Sequence, residues 1–200
     1  MINPEFAVRP ERAEDEQALR ELAEATFGPG RFARTAYRVR EGAAVAEELS
    51  LTAWCGDELA GAIRFTAIRI GARSGALLLG PLMTGAKWAG KGCGRALIEQ
   101  GLKLARKRGA ALVLLVGDVP YYDRFGFRLV PPGQITLPGP VDPARLLAVE
   151  LKTGALQDYE GQVEGERDGS SNTKNALAPF AEPGERQSAE QQGQCDDTGK

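Results

Sequence analysis

The spacing of apolar residues changes period several times along the chain, and each change predicts an element. Phe6 to Arg9 is a short extended run stopped by Pro10, because a residue before proline is pushed out of helical geometry. In 11–27, Leu19, Leu22 and Ala23 share one face while glutamates and arginines take the other, so the segment predicts an amphipathic helix ended by Gly28-Pro29-Gly30. Phe32, Ala36 and Val39 predict a second, shorter helix, with Gly42 as its stop. SLTAWC and ELAGAIRFTAIRI then flank the turn dipeptide Gly56-Asp57 and predict a hairpin. ALLLGPLMT, after Arg73-Ser74-Gly75, is a third strand.

From Gly94 the period lengthens again. Leu97, Ile98, Gly101, Leu102 and Ala105 fall on one helical face, Glu99 and Lys103 are spaced for an i,i+4 pair, and Arg106-Lys107-Arg108-Gly109 closes the helix. Its basic end is accounted for by the helix dipole. ALVLLV predicts a buried strand, and RLLAVEL a last strand able to close the sheet edge. From about Glu164 the chain turns polar and rich in Gly, Ser, Gln and Pro. One domain over 1–165 and a disordered tail over 166–200 are expected.

Composition narrows the chemistry. The chain has 200 residues, 42% of them hydrophobic, enough for one domain with a sizeable core. A formal net charge of -2 offers no bulk attraction to nucleic acid or anionic membrane, and no partner of either kind is expected. Cys55, Cys93 and Cys195 are widely spaced and fit neither a disulfide framework nor a zinc site. The charged start of the chain and its short apolar runs lead to the expectation of a soluble, cytoplasmic protein. There is no histidine, which removes the usual general base, the imidazole metal ligands and every Ser-His or Cys-His nucleophile pair. No metal is expected.

The densest glycine cluster, GAKWAGKGCGRALI from Gly85 to Ile98, joins the third strand to the long helix. Gly85 to Lys91 satisfies most of G-x-x-x-x-G-K-[ST], but Gly92 leaves no hydroxyl for a magnesium ion on terminal phosphates. Gly90, Gly92 and Gly94 read G-x-G-x-G, whereas the dinucleotide fingerprint needs two residues before its last glycine. A third reading asks only that a strand deliver a glycine turn to a helix N-terminus, whose unpaired N–H groups hold a diphosphate such as that of coenzyme A. A loop whose glycines merely turn the chain is the bland alternative.

The order β, α, α, β, β, β, glycine loop, α, β, α, β resembles the GNAT N-acetyltransferase superfamily, in particular its YhbS-like branch, over most of Phe6 to about Gly165. The resemblance implies a mixed α/β (α+β) fold with a mostly antiparallel central sheet flanked by helices. The family loop [QR]-x-x-G-x-[GA] falls on Ala89, Gly90, Lys91, Gly92, Cys93 and Gly94, with Ala89 in place of the usual Gln or Arg. Together with Arg95, these residues are implied to bind acetyl-CoA through backbone donors, with Lys87 or Lys91 available to replace the missing side chain. Leu82, Met83 and Thr84 are implied to line the pantetheine arm between their strand and ALVLLVGD. Tyr121-Tyr122-Asp123-Arg124-Phe125-Gly126-Phe127 resembles Y-x-x-x-G-F and sets Tyr122 where the family's tyrosine protonates the departing thiolate. An aromatic cluster with Tyr121, Phe125 and Phe127 is the structural alternative for Tyr122.

The implied reaction is direct transfer of an acetyl group to a primary amine, on a small molecule or a protein, without an acyl-enzyme. Cys93 occupies an ordinary apolar position in the family pattern. For a base, Glu48, Asp57 and Asp118 are the candidates, and acceptor selection falls to the arginine-rich stretch Arg31 to Arg40 and the prolines after Val130. A CoA-binding module without turnover is the alternative function, and the expected assembly is a monomer or homodimer.

Overall fold

The computed structural model describes residues 5–28, 35–41, 43 and 46–167, with Tyr37 and Glu47 described by their backbones alone. The expected tail from 168 onward, Cys195, Arg31, Arg34, Phe32 and Gly42 lie outside these residues. The elements are β1 (Ala7–Pro10), α1 (Glu16–Phe27), α2 (Thr35–Arg40), β2 (Leu51–Cys55), β3 (Glu58–Ile70), β4 (Arg73–Thr84), α3 (Cys93–Lys107), β5 (Leu112–Val116), α4 (Val119–Tyr122), β6 (Arg128–Leu129), β7 (Ile135–Thr136), β8 (Leu146–Glu150) and β9 (Gly161–Gly165).

The strands form one sheet in the order β1-β2-β3-β4-β5-β8-β6. β3 has 13 residues, long enough to pair with β2 along its first half and with β9 at Ile68, Arg69 and Ile70. The hairpin at Gly56-Asp57 forms as expected, with Cys55 opposite Glu58. The next turn falls earlier than the Arg73-Ser74-Gly75 reading: Ile70 already faces Arg73, and Gly71 supplies the positive φ of 56° that a tight hairpin turn needs.

Both faces of the sheet are covered. Leu97, Ile98, Leu102 and Ala105 of α3 pack with Leu51, Ile63, Phe65, Val113 and Leu115 on one side. The helix lies close because Gly101 faces the Phe65 ring, where a Cβ would stand 2.6 Å from Cε2. On the other side, Leu19, Leu22 and Ala23 of α1 cover Ala62 and Met83, while Val39 of α2 joins Ile68, Ile70 and Val163.

Other local expectations change for physical reasons. Glu99 pairs with Arg95, Nε to Oε1 at 2.8 Å, rather than with Lys103. β8 does not close the edge, because the two-residue β6 pairs beyond it. Gly161–Gly165 looks polar, yet it forms a strand whose single apolar residue, Val163, is fully buried.

Candidate active site

A gap in the sheet dominates the region around the glycine loop. β4 and β5 run parallel but pair only at Ala76↔Leu112, Leu77↔Val113 and Leu78↔Leu114. Past that point β4 stays with β3 as far as Gly61↔Thr84, and β5 stays with β8 as far as Val116↔Leu146. The two strands therefore part. The divergence begins at a bulge in which Gly80 and Pro81 together oppose Arg64, between the pairs Phe65↔Leu79 and Ile63↔Leu82. Pro81 has no N–H to give a ladder. Main-chain groups on the inner edge of β4, from Leu79 to Thr84, are left facing a cleft instead of a strand.

At the end of β4 a 3-10 turn, Ala86–Trp88, leads into the loop. Gly90 and Gly92 take φ values of 73° and 95°, and a Cβ on either would meet nothing within 4 Å. Left-handed backbone and open space together make a cradle with no side chain over it. The first intrahelical bond of α3 runs from the Ala96 N–H to the Gly92 carbonyl at 3.0 Å, so the N–H groups of Cys93, Gly94 and Arg95 have no acceptor within the helix. Their donors and the positive end of a 15-residue helix converge on the same space.

The loop's cations are held by Trp88. This ring is 8% exposed, sits edge-on to Phe6, and donates from Nε1 to Glu58 Oε1 at 3.2 Å. Lys87 ion-pairs with Glu58 and lies 4.8 Å from the Trp88 ring, while Lys91 Nζ lies 5.4 Å from it. Glu58 thus offsets the charge of Lys87, whereas Lys91 has no acidic partner among the described residues.

Two tyrosines stand at the other wall. A Cβ on Gly94 would be 2.6 Å from the Tyr121 hydroxyl and 3.6 Å from Thr84 Oγ1, so Tyr121 closes over the first turn of α3 and helps explain the glycine there. Tyr122 lies against Gly117 at the end of β5 and edge-on to Phe127, with ring centroids 5.7 Å apart. Burial pushes its phenol up to about 12, with Tyr121 and Asp118 adding to the rise and Arg145 opposing it. The Asp118 carbonyl accepts the N–H groups of Tyr121 and Tyr122, and its carboxylate meets Arg145 Nε at 3.2 Å.

A sequence profile of the acetyltransferase (GNAT) domain matches residues 7–130. The chain belongs to the GNAT acetyltransferase superfamily. YhbS of Escherichia coli K12, described as an uncharacterized N-acetyltransferase, is 31% identical over 86 residues, covering 43% of this chain and 52% of that protein. The chain thus spans about half the length of the curated relatives it matches. The structure of Escherichia coli YhbS in complex with CoA superposes with a TM-score of 0.69 at 24% identity, over 80% of this chain and 89% of that one. A GNAT acetyltransferase of Brucella melitensis in complex with acetyl-CoA gives a TM-score of 0.54 at 29% identity, over 76% and 98%. The fold of these structures agrees with the mostly antiparallel open sheet of the chain. Such a sheet, with β4–β5 and β7–β9 as its parallel pairs, is not the doubly wound one a dinucleotide fingerprint requires.

Within this GNAT frame, Leu82 and Thr84 lie on the stretch of β4 beyond its pairing with β5, and Ala89 to Arg95 form the loop and the first turn of α3. The side chain of Met83 is 1% exposed beneath α1, so this residue offers the cleft only its backbone. Cys93 is equally buried, as an apolar position would be, and burial pushes its thiol up to about 11 despite a hydrogen bond with Thr84. The Arg95 side chain runs back to Glu99. Among the three carboxylates, Glu48 pairs with Arg108 beyond the far end of α3 and Asp57 sits in the β2–β3 turn, leaving Asp118 at the parting. Arg145 and Glu58 were not foreseen, since a salt bridge between distant segments leaves no local pattern in the sequence. Among the described residues no group of three or more His, Cys, Asp or Glu is placed to hold a metal ion.

Proposed function

We propose that the protein is an acyl-CoA-dependent N-acetyltransferase that moves an acetyl group from acetyl-CoA to a primary amine. The observation that carries this reading is the parting of β4 and β5 after Leu78 and Leu114, directly beside an uncovered glycine loop at the head of α3. The residues fit the cofactor. Backbone donors of Gly92 to Arg95 suit a diphosphate, each charge-assisted bond contributing about 1.5–3 kcal/mol. Lys91, over the Trp88 ring, supplies a cation two residues after Ala89, where the family has Gln or Arg. The free inner edge of β4 at Leu82 to Thr84 suits an amide-bearing arm.

When bound, acetyl-CoA supplies a thioester whose carbonyl carbon accepts the amine. Asp118 is the carboxylate that draws an ammonium ion to the end of β5 and passes its proton to water. Tyr122 donates a hydrogen bond from its hydroxyl to the departing sulfur. With the phenol at about 12 and an alkyl thiol near 8.5, the thiolate is too weak a base to take that proton outright, so Tyr122 stabilises it and the net proton comes from the amine.

Ala89 favours one second reading, a module that binds CoA without turnover. Thiol release from acetyl-CoA in the presence of amines, with mass detection of the acetylated product, separates the two. Release that depends on amine supports transfer, while cofactor binding without any release selects the module.

A further inference from the structure

The Tyr122 hydroxyl makes no hydrogen bond to another described residue, so the packing of its ring alone fixes where the oxygen stands. Three neighbours set that ring. α4 is a single turn, and an aromatic side chain on a helix lies back over the turn before it, which carries Tyr122 onto Gly117 at the end of β5. Tyr121 meets the ring edge-on with centroids 4.9 Å apart, and the buried Phe127 does so at 5.7 Å.

Gly117 gives the space of a side chain to this seat. A Cβ there would stand 2.3 Å from Tyr122 Cε2 and 2.8 Å from Cδ2, against roughly 3.5–4.0 Å for carbon atoms in contact. The backbone itself does not require glycine: φ of Gly117 lies outside the left-handed region, whereas Gly126, in the turn after the ring, takes 87°. The Gly117 N–H donates to the Arg145 carbonyl at 2.9 Å, which ties this backbone to the start of β8, so an added methyl group displaces the ring. The ring then presses on Phe127 or on Tyr121, whose hydroxyl already lies 2.6 Å from the Cβ position of Gly94.

Resting on the acetyltransferase reading, we propose that Gly117 is a positioning residue of the transfer: it leaves room for the Tyr122 ring, Tyr121 closes the seat, and the phenol oxygen is thereby set against the departing sulfur. A hydrogen bond to a thiolate is charge-assisted, whereas the sulfur of a thioester is an uncharged, weak acceptor. The effect of Gly117 therefore falls on the affinity for coenzyme A thiolate and spares that for acetyl-CoA.

Calorimetric titration of the protein with coenzyme A and with acetyl-CoA, at about pH 7 and about pH 9.5, reads this without an acceptor amine. An alkyl thiol near 8.5 is ionised at the higher pH, while burial, among Tyr121, Asp118 and Arg145, holds the Tyr122 phenol at about 12 and so protonated. In the unaltered protein, affinity for coenzyme A relative to acetyl-CoA is expected to rise at least about tenfold between the two pH values. Gly117→Ala, Tyr122→Phe and the double variant should each lose that rise to the same extent, with the acetyl-CoA Kd within about twofold throughout. Should Gly117→Ala fail to fold, Tyr121→Leu, at a position 37% exposed, opens the seat from another side and should lose the rise likewise. A rise kept by Gly117→Ala, or by Tyr121→Leu in its place, would overturn the proposal and leave the role of the phenol standing. A rise absent from the unaltered protein or kept by Tyr122→Phe would overturn both, and binding of neither ligand would remove the cofactor reading with them.

Discussion

The two ends of α3 provide a matched pair of substitutions. Gly92 at the N-terminus has φ 95°, Gly109 just past the C-terminus has φ 79°, and a Cβ on either would meet nothing within 4 Å. Alanine at each position is forced into left-handed backbone at a cost of roughly 1–2 kcal/mol, with no steric clash in the free protein. For a chain of this size that lowers the melting temperature by about 2–8 °C in both variants. Only Gly92→Ala puts a methyl group over the loop, where it displaces a diphosphate from one of its backbone donors. Losing one such bond, about 1.5–3 kcal/mol, weakens acetyl-CoA binding about 10- to 100-fold. Calorimetric titration and thermal unfolding of both variants give the two readouts. Unchanged affinity in Gly92→Ala, or an equal loss in Gly109→Ala, would refute the assignment of the loop.

Tyr122→Phe is expected to lower kcat by about 100-fold while leaving the acetyl-CoA Kd within about twofold, measured by steady-state kinetics and titration. Because Tyr122 is pushed up to about 12, kcat/KM in the unaltered protein should rise with pH as the acceptor loses its proton, without a decline from this phenol below about pH 11. Of Cys55 and Cys93, an alkylating thiol reagent at pH 8 should label Cys55 first and Cys93 only on unfolding, as read by peptide mass spectrometry, since the Cys93 thiol is buried and raised to about 11. Asp15 is buried, which alone would raise its pKa, but the two 2.7 Å bonds from Arg9 and the Arg12 N–H hold it below the usual carboxylate range. Its contribution is therefore present above the unfolded value near 3.9 and lost as pH falls through the folded one, so Asp15→Asn should cost about 1–3 kcal/mol at pH 7 and progressively less in acid, followed by chemical denaturation at each pH.

Periodicity in the sequence located α1, α3 and the β2–β3 hairpin because each has a strong local signal, either a helical apolar face or a turn dipeptide between β-rich runs. It could not locate β6, β7 and β9, whose two to five residues form strands only because long-range partners pair with them. The glycine turn before α3 was legible, since Gly90 and Gly92 take the left-handed backbone that glycine allows. Which side chains face the cleft was not. Met83 and Thr84 are adjacent in β4, so strand alternation sends one under α1 and the other towards Cys93. Nor could spacing pair Asp118 with Arg145, which come together only through the β5–β8 ladder.

Calorimetric titration of the protein with acetyl-CoA, with magnesium-ATP as the comparison ligand, decides whether the cleft between β4 and β5 and the loop beside it form a coenzyme A site. A coenzyme A site there takes up one acetyl-CoA per chain with a Kd between about 1 µM and 1 mM and does not bind magnesium-ATP. Binding of magnesium-ATP instead, or no binding of acetyl-CoA by protein shown to be folded, would contradict it.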